Sequence, residues 1–96
     1  MLNEEVLGLK KFNGKELNIW DDNNNYILAN TDIKLNEGNI VIEGNKYNDN
    51  DKLEKNKMDY VININKINSI IRNAVDGSIF IKTNDDQILL FDEWVA

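Results

Sequence analysis

From residue 60 onward the apolar and polar positions alternate with a period of two. In "YVININ" Tyr60, Ile62 and Ile64 fall on one face of an extended segment, and Val61, Asn63 and Asn65 fall on the other. "INSIIR" at 67–72 returns after a tight connection, "VDG" at 75–77 turns the chain into "SIFIKT", and "NDD" at 84–86 turns it back into "QILLF". The same period runs through the first half. "ELNIW" at 16–20 sets Leu17 and Ile19 against Asn18 and Trp20, and the turn chemistry of "DDNNN" at 21–25 predicts a hairpin into "YILA" at 26–29. "DIKL" at 32–35 and "NIVIEG" at 39–44 follow, separated by the turn signal "NEG". Residues 45–57, "NKYNDNDKLEKNK", are polar apart from Tyr47 and Leu53 and predict a solvated, mobile loop. Only the start of the chain has helical spacing. Leu2, Val6 and Leu9 fall on one side, Asn3 is placed to cap, Glu4 and Glu5 sit near the positive end, Lys10 and Lys11 near the negative end, and Gly14 stops the helix. These elements predict one small, mainly antiparallel barrel or sandwich over residues 1–96, with seven or eight short strands.

The last hairpin departs from simple alternation. Ile79, Ile81, Ile88 and Leu90 form one apolar face, but Phe80, Leu89 and Phe91 make the opposite face apolar too, with Trp94 close behind. Three explanations stand open. The N-terminal helix covers this face, the face is an oligomer seam, or it is a patch that binds a partner. Under the last two, Phe80, Leu89, Phe91 and Trp94 carry the contact, with Trp20 as a secondary candidate.

Composition narrows the chemistry. With no cysteine and no histidine, disulfides, thiol nucleophiles and the usual transition-metal ligands are absent from the sequence. Ser69 and Ser78 have no histidine to activate them, and the adjacent carboxylates Asp21 and Asp22, Asp85 and Asp86, and Asp92 and Glu93 fall in turns or at the terminus. Asp21, Asn23, Asn25 and Asp32 echo a calcium loop, but Tyr26 replaces the required glycine and the flanks read as strands, so a hairpin turn explains them better. The expectation is therefore no catalysis, no cofactor and no bound metal. A net charge of −6 at pH 7 disfavours a grip on nucleic acid or anionic lipid. No apolar run reaches the about 18 residues of a membrane span, and the start has no signal-peptide pattern, which predicts a cytoplasmic protein. The bias toward asparagine, isoleucine and lysine without proline reads as AT-rich coding, as in an AT-rich bacterium or its phage.

Gly14 with Lys15 before the first strand, the polar turn at 21–25, Asn39-Ile40-Val41-Ile42 opening the third strand and the stretch from Ile67 to Ile71 together resemble the Sm-like family over about residues 5–72. The resemblance implies a helix followed by a strongly bent five-stranded barrel, to which residues 78–91 add a hairpin. RNA-binding members carry an acidic residue shortly before the asparagine matched here by Asn39, and an Arg-Gly pair; this chain has Leu35 and Arg72-Asn73, and no histidine for the Lys-His pair of bacterial relatives. The expected fold is thus a small antiparallel β-barrel, Sm-like or SH3-like, with a short N-terminal α-helix and an additional C-terminal β-hairpin. The expected role is a non-catalytic protein–protein interaction or assembly module, acting on a protein partner or by self-association. An acidic inhibitor that imitates nucleic acid is the alternative, and an RNA-binding Sm-like ring the third reading.

Overall fold

The computed structural model describes residues 8–92. Its strands are β1 (Leu17–Trp20), β2 (Asn25–Asn36), β3 (Asn39–Tyr47), β4 (Leu53–Asn63), β5 (Ile67–Arg72), β6 (Ile79–Thr83) and β7 (Gln87–Phe91). They form one seven-stranded antiparallel sheet in the order β4-β3-β2-β1-β7-β6-β5. The mainly β, antiparallel expectation holds. Barrel closure does not, because the two edge strands β4 and β5 are not paired with each other.

These edge strands are consecutive in the chain, and the connection between them explains the open seam. Ile64–Lys66 is a 3-10 turn capped by the Asn63 side chain, whose Oδ1 accepts from Asn65 N at 2.9 Å. Ile64 N donates to Gly38 O in the β2–β3 turn, and Lys66 O accepts from Asn84 N in the β6–β7 turn, both at 3.0 Å. The connection is thus tied to one hairpin on each side. It cannot tighten into the turn that would lay 67–72 back against 60–65, and β5 pairs with β6 instead.

The inner face of the whole sheet closes on one core. Leu17, Ile19, Leu28, Ile33, Ile40, Ile42, Ile62, Ile79, Ile81, Ile88 and Leu90 contribute from the strands, and Leu9 and Phe12 plug it from the N-terminal side. The helix expected over 2–12 is not supported. Residues 1–7 lie outside the described residues, and Lys10–Phe12 form a 3-10 turn. Gly14, at φ 77°, takes the left-handed conformation and donates its N–H to Thr31 O at 2.6 Å, which turns the chain out of any helical path directly after Phe12 is buried.

Curvature comes from β2. Its pairing with β3 slips between Ala29 and Asp32, so that the strand bulges at Asn30, which has φ 56°, and at Thr31. The buried Thr31 hydroxyl donates to the Lys15 and Leu28 carbonyls, which fixes the bend against the chain that enters β1. Opposite the bulge stands Gly44, where a Cβ would lie 2.9 Å from Leu28 Cβ and 3.0 Å from Ala29 O. The absence of a side chain lets the bent backbone approach.

The loop expected at 45–57 is mostly strand. Asn45 pairs with Lys57 and Tyr47 with Leu53, which leaves only a short turn between them. The polar sequence folds this way because Asn45 turns inward. Its Nδ2 donates to Glu54 O at 3.1 Å and Lys55 O at 3.3 Å, and its Oδ1 accepts from Asn30. At the tip, Asn48 Oδ1 accepts from Asn50 N and Lys52 N. Among the described residues no helix is long and apolar enough to cross a membrane.

Gly44→Ala should destabilise the protein by about 1–3 kcal/mol, the usual cost of an overpacked contact with backbone. Urea unfolding followed by circular dichroism measures it. An unchanged midpoint would show that the bend does not depend on the close approach.

Candidate functional site

The outer face of the sheet is divided in two. On β2, β3 and β4 it carries an ion-pair network: Lys34 lies 3.6 Å from Asp32 and 4.0 Å from Glu43, and Lys57 lies 3.6 Å from Glu43. Such exposed pairs add little stability, but they keep this half hydrated. On β1, β7, β6 and β5 a band across the outer face is apolar, flanked by Asn18 on one side and by Gln87 and Lys82 on the other. The register sets Trp20 opposite Leu89, Leu89 opposite Phe80, and Phe80 opposite Ile71, a row of four side chains across four strands without a charge. Alternation explains the row. The residues between them in sequence, Ile19, Ile79, Ile81, Ile88 and Leu90, point into the core.

Three residues expected from the sequence, Trp20, Leu89 and Phe80, lie in this row. Trp20 is 36% exposed, and Leu89 and Phe80 are half-buried. Phe91 shares the face but is only 8% exposed; its ring meets Trp20 edge-on at 5.2 Å between centroids. Trp94 lies outside the described residues. Ile71, 59% exposed at the open edge, and Ile27, 40% exposed beside Asn18 and Phe91, belong to the same surface. The sequence reading did not assign them to it. The signal for Ile71 was present in the paired Ile70-Ile71 of "INSIIR", one of which must face outward in a strand. The idea that an N-terminal helix covers this face finds no support in the described residues, because Leu9 and Phe12 are buried in the inner core instead.

A second feature lies at the turn end of the seam. Tyr60, Val61, Ile62 and Asn63 of β4, Lys66, and Thr83, Asp85, Asp86 and Ile88 line a cleft of about 260 Å³. Two acidic turns meet beside it, where Asp22 N donates to Asp86 Oδ1 at 2.8 Å. Partial desolvation and the neighbouring Asp86 carboxylate push the Asp22 carboxyl above its ordinary range. The other carboxylates are occupied by the fold. Asp21 Oδ1 accepts from Asn23 N at 2.9 Å and Asn24 N at 2.7 Å, while Oδ2 accepts from the Tyr60 hydroxyl at 2.7 Å. Asp85 pairs with Lys66 at 3.1 Å, and Asp86 also accepts from Gln87 N. The stretch 21–25 is therefore a hairpin turn built on the Asp21 carboxylate. Among the described residues no group of three or more acidic, histidine or cysteine side chains is placed to hold a metal ion.

Comparison with protein-family models, curated proteins and solved structures yields no match, so the geometry alone carries the functional reading.

The Tyr60–Asp21 bond couples the seam to pH. Burial works to raise the Asp21 carboxyl, but the hydrogen bonds from Tyr60, Asn23 and Asn24 outweigh it and hold it below its ordinary range. Burial, then the Asp21 carboxylate, push the Tyr60 hydroxyl well above the usual tyrosine range. Asp21 thus contributes stability that is present above its unfolded value of about 3.9 and is lost as pH falls through its lower folded value; Tyr60 contributes stability that is present below about 10 and is lost as pH rises beyond it. Tyr60→Phe should cost about 1 kcal/mol at pH 7, and less at both extremes. Urea midpoints of both proteins across pH check this; a constant difference from acid to alkali would mean that the bond does not form.

Proposed function

We propose that this chain is a non-catalytic protein–protein interaction or assembly module that docks through the outer face of β1, β7, β6 and β5. The observation that supports this most is the row Trp20, Leu89, Phe80 and Ile71, aligned by the strand register on half of a sheet whose other half is charged. A sheet face in water alternates toward polar residues, and this chain does so on β2 to β4, where Asp32, Lys34 and Glu43 occupy equivalent positions. On β3 and β4 the apolar outward residues Val41 and Val61 stand beside Lys34, whereas the row from Trp20 to Ile71 contains no charged residue. Aromatic and branched aliphatic side chains without charge are what the centre of a protein interface uses, and the hydrated half leaves a single docking side.

An acidic inhibitor that imitates nucleic acid is the second reading, favoured by the contact between the Asp22 and Asp86 turns. It draws on fewer free groups, because Asp21, Asp85 and Asp86 are engaged within the protein. The RNA-binding reading has Leu35 and Asn73 at the positions where Sm-like RNA binders use an acidic residue and glycine.

A photo-crosslinking residue placed at Ile71 should give covalent protein adducts when the chain is produced in its native cells, and the same residue at Val61, on the charged half, should give none. Adding Leu89→Glu should abolish the Ile71 adducts while the far-ultraviolet circular dichroism is retained. No adduct at position 71, or equal yields at 71 and 61, would refute docking through this face.

A further inference from the structure

Asn13-Gly14 is the only Asn-Gly step in the chain, and the fold uses both residues to hold the bend of β2. β1 begins at Leu17, opposite Leu28, so the part of β2 that follows Leu28 has no strand beside it on the β1 side. The segment before β1 stands in for one. Gly14 N donates to Thr31 O at 2.6 Å, Asn13 Oδ1 accepts from Ile33 N at 2.8 Å, and the Thr31 hydroxyl donates to Lys15 O. Asn13 N in turn donates to Lys10 O at 3.0 Å, which ties the step to the turn that buries Phe12. These two residues are also a reactive pair. Asparagine is thermolabile because the backbone nitrogen that follows it can attack its side-chain amide carbon, and glycine, without a Cβ, hinders that attack least. Ring closure requires the Gly14 nitrogen to swing to the Cβ side of the Asn13 Cα–C bond. At ψ 133° it is rotated away from Cβ, and turning it would break the bond to Thr31 O. The Ile33 N–H polarises the Asn13 amide carbonyl, which favours attack, but this has no effect while the nucleophile is out of reach.

We infer that Asn13 is a modification site closed by folding, which deamidates when the segment 10–15 opens and whose β-linked product cannot rebuild the bend. In the opened chain hydroxide takes the Gly14 amide proton and the nitrogen bonds to Asn13 Cγ. The bond from Cγ to the side-chain nitrogen breaks, and ammonia leaves. The cyclic imide then takes up water. Opening at one carbonyl gives aspartate, and opening at the other gives β-linked aspartate, in which the backbone runs through the former side chain. Nothing is oxidised or reduced, and water is the only co-reactant. The aspartate product keeps an oxygen that can accept from the Ile33 N–H. The β-linked product loses that side-chain acceptor and lengthens the backbone by one carbon between Phe12, which is fixed in the core, and Gly14, whose N–H must reach Thr31 O. Deamidation at Asn13 is therefore a one-way record of unfolding, written at the step that pins the bend.

The natural chain is incubated at mildly alkaline pH with and without a denaturing concentration of guanidinium chloride, then digested with trypsin. Mass and chromatography of the peptide 12–15 separate its amide, aspartate and β-linked forms. The amide form should disappear about tenfold or more slowly from the folded chain, because conversion proceeds only through the opened fraction. Equal rates in the two conditions would show that folding does not close the site, and no conversion in denaturant would show that the step is not reactive. Thr31→Ala, which removes the hydroxyl bond to Lys15 and leaves the peptide intact, should convert faster than the natural chain without denaturant while its circular dichroism is retained. An unchanged rate in that variant would mean that the bend does not guard Asn13. After denaturant is removed, Asn13→Asp should refold, whereas the β-linked fraction purified from aged protein should not regain the native spectrum. Recovery of the natural unfolding midpoint by that fraction would refute the block on return.

Discussion

A twelve-residue strand such as β2 spans about 40 Å if it runs straight, more than a core of this size can cover. The bulge at Asn30 and Thr31 bends it, and most of the remaining structure depends on that bend. Thr31 anchors the bend to the residues that lead into β1, Gly44 gives it room, and Asn30 bonds to Asn45, whose amide in turn holds β4. A single polar chain thus runs from the N-terminal turn through three strands. Because the sheet curls here, the inner residues of β1 to β4 and those of β6 and β7 reach the same core, and Leu9 and Phe12 fill it from the N-terminal side.

Curling the sheet has a cost on the outside. All inner positions point to one core, so the outer positions have no second layer among the described residues, and their composition decides what each half does. The ion pairs on β2, β3 and β4 are weak individually, yet they hold water over that half. The row from Trp20 to Ile71 holds none. Trp20 joins it only through the β1–β7 pairing, which links the first strand of the chain to the last described one. The apolar surface is therefore a product of the closed core and is built from residues some seventy positions apart in sequence.

The strand periods were legible in the sequence because side chains alternate with backbone geometry, and the hairpins at 21–25, 75–77 and 84–86 were legible because asparagine, aspartate and glycine tolerate turn conformations. Phe80 and Leu89 could be recognised as outward because Ile79, Ile81, Ile88 and Leu90 had already claimed the core face. The rest depended on contacts between distant residues. Asn45, read as part of a polar loop, is buried because Glu54 and Lys55 present carbonyls to it. Asn30 and Thr31, read as a break between two strands, are a bulge within one, since Gly44 stands opposite. The pair Ile70-Ile71 showed that one of the two faces outward, but nothing local reveals that β5 turns away from β4 to become an edge.

The open seam follows from the same kind of long-range constraint. To bring β5 against β4, the 3-10 turn at Ile64–Lys66 would have to give up its bonds to Gly38 and Asn84, and with them the positions of two hairpins. The Tyr60 hydroxyl, donated to Asp21 from the β4 side, further fixes that strand to the β1–β2 turn rather than to β5. The two strands are thus held apart by bonds to the neighbouring hairpins. Lysine and carboxylates guard β4. At β5 the outward row of apolar side chains ends at Ile71, next to Arg72, whose guanidinium lies against Gly8, so the chain's own N-terminal side reaches the strand on which the apolar row ends.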